Sequence, residues 1–137
     1  MSPPSVPVRS VPVAVAPTAV APVAVRPPPI VSKTAASGVP IVLDTASSVD
    51  PNCHPNGVPT GRVTQPPVHG KVALLHQSVY PNFPPNNSRS ACNKTKVPGI
   101  ATEYTSAAGF TGSDFTTVSL IFPDGKELEV KFAITVK

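Results

Sequence analysis

The sequence predicts an all-β protein, an antiparallel β-sandwich of about seven short strands carrying an extended proline-rich N-terminal arm. Three observations carry this expectation. Glu127 to Val136 alternates strictly, with Leu128, Val130, Phe132, Ile134 and Val136 on one face and Glu127, Glu129 and Lys131 opposite. Short apolar or alternating runs recur from Val39 onward with proline-, glycine- and asparagine-rich turns between them, and no helix longer than a turn is indicated. The 137 residues include 20 prolines, ten of them before residue 41, where average usage puts about 7 in the whole length. Residues 1–35 contain Arg9, Arg26 and Lys33 with no acid and no aromatic, whereas residues 36–137 hold all seven acids, all seven aromatics and both cysteines. Only the second part can build a core, so the arm is assigned to 1–35 and the sandwich to 36–137.

Within the arm Pro7, Pro12, Pro17, Pro22 and Pro27 recur every five residues, a degenerate pentapeptide array. Proline fixes φ near −65° and removes an amide donor, so neither a helix nor a central strand persists here and polyproline II is the expected local state. A passive spacer needs only proline and polar residues. This arm fills the remaining positions with valine and alanine, which gain by leaving water. The five prolines therefore mark an expected contact segment for a partner.

The elements follow in order. Val39 to Leu43 is a short apolar strand ending at Asp44, which opens a Ser/Asp/Pro loop. Gly61 to Gln65 alternates until Pro66-Pro67, and a turn at Val68-His69-Gly70 leads into Lys71 to Gln77, so these two runs are expected to form a hairpin. Ser78 to Pro98 is an irregular, proline-rich insertion. Ile100 to Tyr104 and Asp114 to Phe122 are strands, and Pro123-Asp124-Gly125-Lys126 is a turn into the last strand, the proline presetting φ and the Asp-Gly pair tolerating positive φ.

Cys53 and Cys92 sit in polar, turn-rich sequence, DPNCHPNG and SRSACNKTK. An even count in a small loop-rich domain favours a disulfide and an oxidising, extracytoplasmic compartment. The competing reading is a metal site using Cys53, His54 and Cys92 with His69 or His76, for which no CxxC or HxxxH spacing exists. The N terminus, Met1-Ser2-Pro3-Pro4, has neither a basic region nor an apolar run, so no secretory signal is expected in this chain, and no segment is apolar enough to form a transmembrane helix.

The stretches QPPVHGKVAL, EYTSAAGFTGSDFTTVSLIF and PDGKELEVKFAITV resemble the bacterial immunoglobulin-like or cadherin-like repeat domains of secreted and surface proteins. The resemblance covers Gly61 through Val136 and implies an Ig-like sandwich. Gly109 and Gly112 bracket Phe110, so a tight loop is expected to drop the ring into the core while Asp114 accepts amide hydrogen bonds that close that loop. Asp114, Asp124 and Gly125 are read as structural turn residues. Calcium binding at Asp114 is the functional rival, but Asp44, Asp50, Asp114 and Asp124 form no DxD-type cluster, and no metal or cofactor is expected.

Catalysis is not expected either. The chain has no GxSxG elbow, no HExxH and no glycine-rich phosphate loop. A formal net charge of +4 is split as +3 on the arm and +1 on the sandwich, which offers no basic face for nucleic acid. Asn86-Asn87-Ser88 and Asn93-Lys94-Thr95 match the glycosylation acceptor pattern, which is frequent by chance. Two functions remain. One is a structural subunit of an extracytoplasmic assembly (a filament, surface layer or multiprotein complex), whose arm contacts other protein subunits, identical copies among them. The other is a stand-alone adhesion or ligand-binding module on a stalk, with Tyr80 and Phe83 available to carbohydrate.

Overall fold

The computed structural model describes residues 28–137; the pentapeptide prolines Pro7, Pro12, Pro17, Pro22 and Pro27, and the contacts expected of them, lie outside it. Seven strands form: β1 (Ile30–Ala35), β2 (Ile41–Ser47), β3 (Thr60–Gln65), β4 (Gly70–Val79), β5 (Val97–Ser106), β6 (Gly112–Ile121) and β7 (Glu127–Val136), with one short 3-10 helix at Ser90–Lys94. A four-stranded sheet, in the order β1-β7-β6-β3, faces a three-stranded sheet, β2-β5-β4. The chain is a β-sandwich.

Alternation explains which side chains fill the space between the sheets. Val130, Phe132, Ile134 and Val136 of β7 meet Val118 and Leu120 of β6, and from the other sheet Leu43, Ile100 and Tyr104. Phe132 and Ile134 are each 1% exposed, and burial of one such side chain contributes about 1.5–3 kcal/mol. Thr116 is also buried on this face of β6, and its hydroxyl is satisfied by donation to the Gln65 carbonyl at 2.8 Å.

Four expectations are corrected. The sandwich begins at Ile30 and not at residue 36: IVSKTA pairs with β7 from Ile30↔Lys131 to Ala35↔Val136. Composition missed this strand because it shares the acid-free, aromatic-free character of the arm. That pairing is parallel, so the four-stranded sheet is mixed and the sandwich is not wholly antiparallel; β1 leaves the end of β7 and crosses to the other sheet through Gly38 instead of folding back as a hairpin. The expected β3–β4 hairpin does not form, since β3 pairs with β6 and β4 with β5. Pro66 and Pro67 have no amide donors to close a ladder, and the chain changes sheets there. Finally, β2 runs through Asp44 to Ser47, with a bulge between Val42 and Asp44 that keeps Leu43 in the core while pairing continues to Ser47↔Gly99.

Among the described residues no helix is long and apolar enough to cross a membrane.

Candidate functional site

The residues singled out from the sequence fall into two groups at opposite ends of the sandwich. Gly109, Phe110, Gly112 and Asp114 gather at the end where β5 turns into β6. Asp124, Gly125 and the two cysteines lie at the other.

At the first end Asp114 is the organising side chain. It is 2% exposed and accepts four hydrogen bonds: from the Val68 and His69 amides at 3.0 and 3.1 Å, from the Phe115 amide at 3.0 Å, and from the Tyr104 hydroxyl at 2.7 Å. The loop that Asp114 closes is therefore the Pro67–Gly70 crossover between the sheets, not its own Gly109–Gly112 loop as expected. The carboxylate stands in for the ladder that the prolines prevent. Tyr104 is fully buried, and burial together with the adjacent Asp114 pushes its phenol well above the ordinary range. With four protein donors on it, Asp114 serves as a structural acceptor. Among the described residues no three His, Cys, Asp or Glu side chains converge as metal ligands.

Phe110 differs from its expected place as a core residue. It is half-buried, packing against the margin of the core, and its ring stacks on His69 with centroids 4.1 Å apart and planes 9° from parallel. Its amide donates to the Ala107 carbonyl, and Gly109 at φ +84° and Gly112 at φ +131° supply the backbone that an L side chain rarely adopts. Phe110 and His69 together cap the crossover from outside.

At the other end Cys53 and Cys92 form a disulfide, with a Cα–Cα distance of 5.2 Å and a sequence separation of 39. Cys92, Val49 and Val97 make a second small core beneath it, with Phe83 against them. Asp50 holds the Cys53 turn by accepting from the His54 and Asn52 amides, and these bonds keep its carboxyl below the usual range, the His54 amide contributing most. In the β6–β7 hairpin the Gly125 amide donates to the Phe122 carbonyl and the Phe122 amide to the Lys126 carbonyl, while Asp124 Oδ1 accepts from the Lys126 amide. This is the expected Asp-Gly turn, with Gly125 at φ +89°.

Two grooves flank β7 between these ends. One, of about 560 Å³, lies on the outer face of the four-stranded sheet and is lined by Pro28, Ile30, Thr64, Gln65, Thr117, Glu129 and Lys131. The other, of about 250 Å³, opens between the sheets and includes Asp44, Tyr80, Phe83, Leu120, Phe122 and Leu128. Burial raises the Asp44 carboxyl, an effect partly offset by the Thr45 amide and by Lys33. Tyr80 is 54% exposed, with the Lys96 ammonium 5.4 Å from its ring centroid. Neither groove was legible in the sequence, because each joins residues from at least three separated strands or loops. Leu128 was the one available hint: it has the alternation of a core residue yet is 41% exposed.

No protein-family model, no curated protein and no solved structure matches this chain.

Proposed function

We propose that the chain is a non-catalytic structural subunit of an extracytoplasmic assembly, an Ig-like sandwich whose proline-rich arm contacts neighbouring subunits. The strand order supports the Ig-like reading. An Ig domain divides its strands so that the third, sixth and seventh share one sheet and the second, fourth and fifth the other, as β3, β6, β7 and β2, β4, β5 do here. The Cys53–Cys92 bond supports an oxidising compartment.

The observation that carries the reading is where the arm joins the body. Pro28 and Pro29 lead straight into the edge strand β1, and Pro28 itself lines the outer groove. The junction at Pro28-Pro29 therefore lies at a sheet edge beside a groove, the kind of surface where an extended peptide finds main-chain and apolar partners, and not at a loop tip suited to a passive stalk. Removing residues 1–27 tests this. The truncated chain keeps β1 and should melt at the temperature of the full chain as a monomer, while light scattering shows its assembly lost. Assembly equal to that of the full chain would refute the arm's role.

Exposed Tyr80 at the rim of the inner groove favours a second reading, adhesion to carbohydrate by stacking on its ring. Glycan binding that Tyr80→Ala abolishes, from a monomeric full chain, is the result that would put this reading first.

A further inference from the structure

Each sheet has two edge strands, and proteins guard such edges because their unpaired main chain is a template for another strand. Three of the four are guarded here. β1 is six residues long and is entered through Pro28-Pro29, β2 carries a bulge beside Asp44, and β3 is six residues long, shifts register between Val63 and Gln65 and stops at Pro66. β4 has none of these devices. Its ten residues pair with β5 from Gly70↔Ser106 to Val79↔Val97 without a shift, include no proline and carry one fixed charge, Lys71. Among the described residues no strand pairs with its other side. That side belongs to the flank where Gly61 of β3 lies against Leu74, whereas Pro28 leads into β1 at the far edge of the other sheet. The phase of the hydrogen bonds fixes what the edge offers. The Ala107 amide donates to the His69 carbonyl at 2.7 Å, which makes His69 and Ala107 a bonded pair in the β4–β5 register. Bonded and non-bonded pairs alternate in an antiparallel ladder. Lys71, Ala73, Leu75 and Gln77 therefore direct their amides and carbonyls to β5, and Val72, Leu74, His76 and Ser78 direct theirs outward.

We propose that the β4 edge pairs with the same edge of a second copy of the chain, antiparallel about a twofold axis at Leu74, so that the two three-stranded sheets join into one. This rests on the assembly role proposed above and gives it a second contact beside the arm. Centred there, the outward groups of Gly70, Val72 and Leu74 meet those of Ser78, His76 and Leu74 of the second copy, and the symmetry repeats the match on the other half. Every outward main-chain group from Gly70 to Ser78 then has a partner. The side chains agree with this register. On the outer face Leu75, 37% exposed, falls opposite Ala73 of the second copy, and Lys71 falls opposite Gln77, so large meets small and like charges do not face each other. The arm fits this edge less well, because its prolines recur every five residues and interrupt any ladder of this length. An edge pair buries less than the roughly 1,200 Å² of a stable complex, so it is weak alone and gains strength when arms bridge the same copies.

The test uses the full chain. Amide hydrogen exchange at Val72, Leu74 and His76 should slow as protein concentration rises, whereas the amides of Ala73 and Leu75, already bonded to β5, should not change. Leu75→Lys sets two like charges diagonally across the pair and should weaken self-association at least about tenfold. Leu75→Glu alone should do the same, and an equal mixture of the two variants should restore association, because each lysine then faces a glutamate. Slow exchange at Val72, Leu74 and His76 that is independent of concentration would overturn the proposal in favour of the chain's own arm lying on this edge. Protection that grows with concentration but ignores the charge at residue 75 would overturn it in favour of the arm of a second copy. Fast exchange at these amides in a chain that does assemble would overturn this edge and leave the assembly role standing. A chain monomeric at millimolar concentration would overturn both.

Discussion

Replacing Tyr104 by phenylalanine removes one hydroxyl and leaves Asp114 buried with three donors instead of four. The two side chains are 0% and 2% exposed and their oxygens are 2.7 Å apart. A hydrogen bond to a charged group contributes about 1.5–3 kcal/mol, so Tyr104→Phe should cost about 2 kcal/mol at pH 7. The pH dependence makes the test specific. The folded phenol is raised above its unfolded value near 10, first by burial and then by Asp114. Its contribution is therefore complete below pH 10 and is lost as pH rises toward the folded value, at about 1.4 kcal/mol per pH unit, because only the unfolded chain releases the proton. The phenylalanine variant has no such loss. Urea unfolding of both chains at pH 7, 10, 11 and 11.5 should show a constant gap to pH 10 that closes near pH 11.5, where about 1.5 units at this slope equal the starting difference. Lysine titration affects both chains alike and cancels in the difference. A gap unchanged between pH 7 and 11.5, or no gap at pH 7, would refute the account of Asp114 as a buried acceptor that ties the crossover to β5.

Replacing both cysteines by alanine should cost about 4 kcal/mol, the loop-closure entropy for a separation of 39, read as a lower urea midpoint. Phe110→Ala should cost only about 1–2 kcal/mol, because the ring is half-buried and loses mainly its stacking on His69; a cost above 3 kcal/mol would return it to the core. Gly70→Ala should cost about 1–3 kcal/mol or prevent folding, since the added carbon would sit 2.5 Å from the Thr105 carbonyl oxygen and 2.8 Å from the Tyr104 ring. The Asp44 carboxyl is raised by burial, so the folded chain favours its protonated form and ionisation opposes folding as pH rises. Asp44→Asn should accordingly raise the melting temperature at pH 7, with the advantage vanishing near pH 3.

The β-sandwich and its C-terminal half were legible because strict alternation in Glu127 to Val136 and the Asp-Gly turn before it are local signals. The disulfide was legible from the loop settings of Cys53 and Cys92. What escaped depends on partners distant in sequence. Ile30 to Ala35 reads as arm until β7, about a hundred residues later, offers an edge to it. Gly61 to Gln65 and Lys71 to Gln77 look like a hairpin until the donor-free Pro66-Pro67 pair is set against the pull of β6 and β5 on each strand. Asp114 was recognised as an acceptor, but its donors at Val68 and His69 lie more than forty residues away, and nothing in the spacing links Tyr104 to it.

The role of the arm is tested most directly by mixing two populations of the full chain. One is nitrogen-15 labelled; the other carries a spin label on Ser10→Cys, the native cysteines being held in their disulfide. Relaxation that crosses from one population to the other reports only intermolecular contact. The account predicts loss of amide signal on the labelled sandwiches, confined to one patch of the surface and growing with concentration. Labelled sandwiches whose signals are unaffected at every concentration would contradict it, leaving the arm a passive tether.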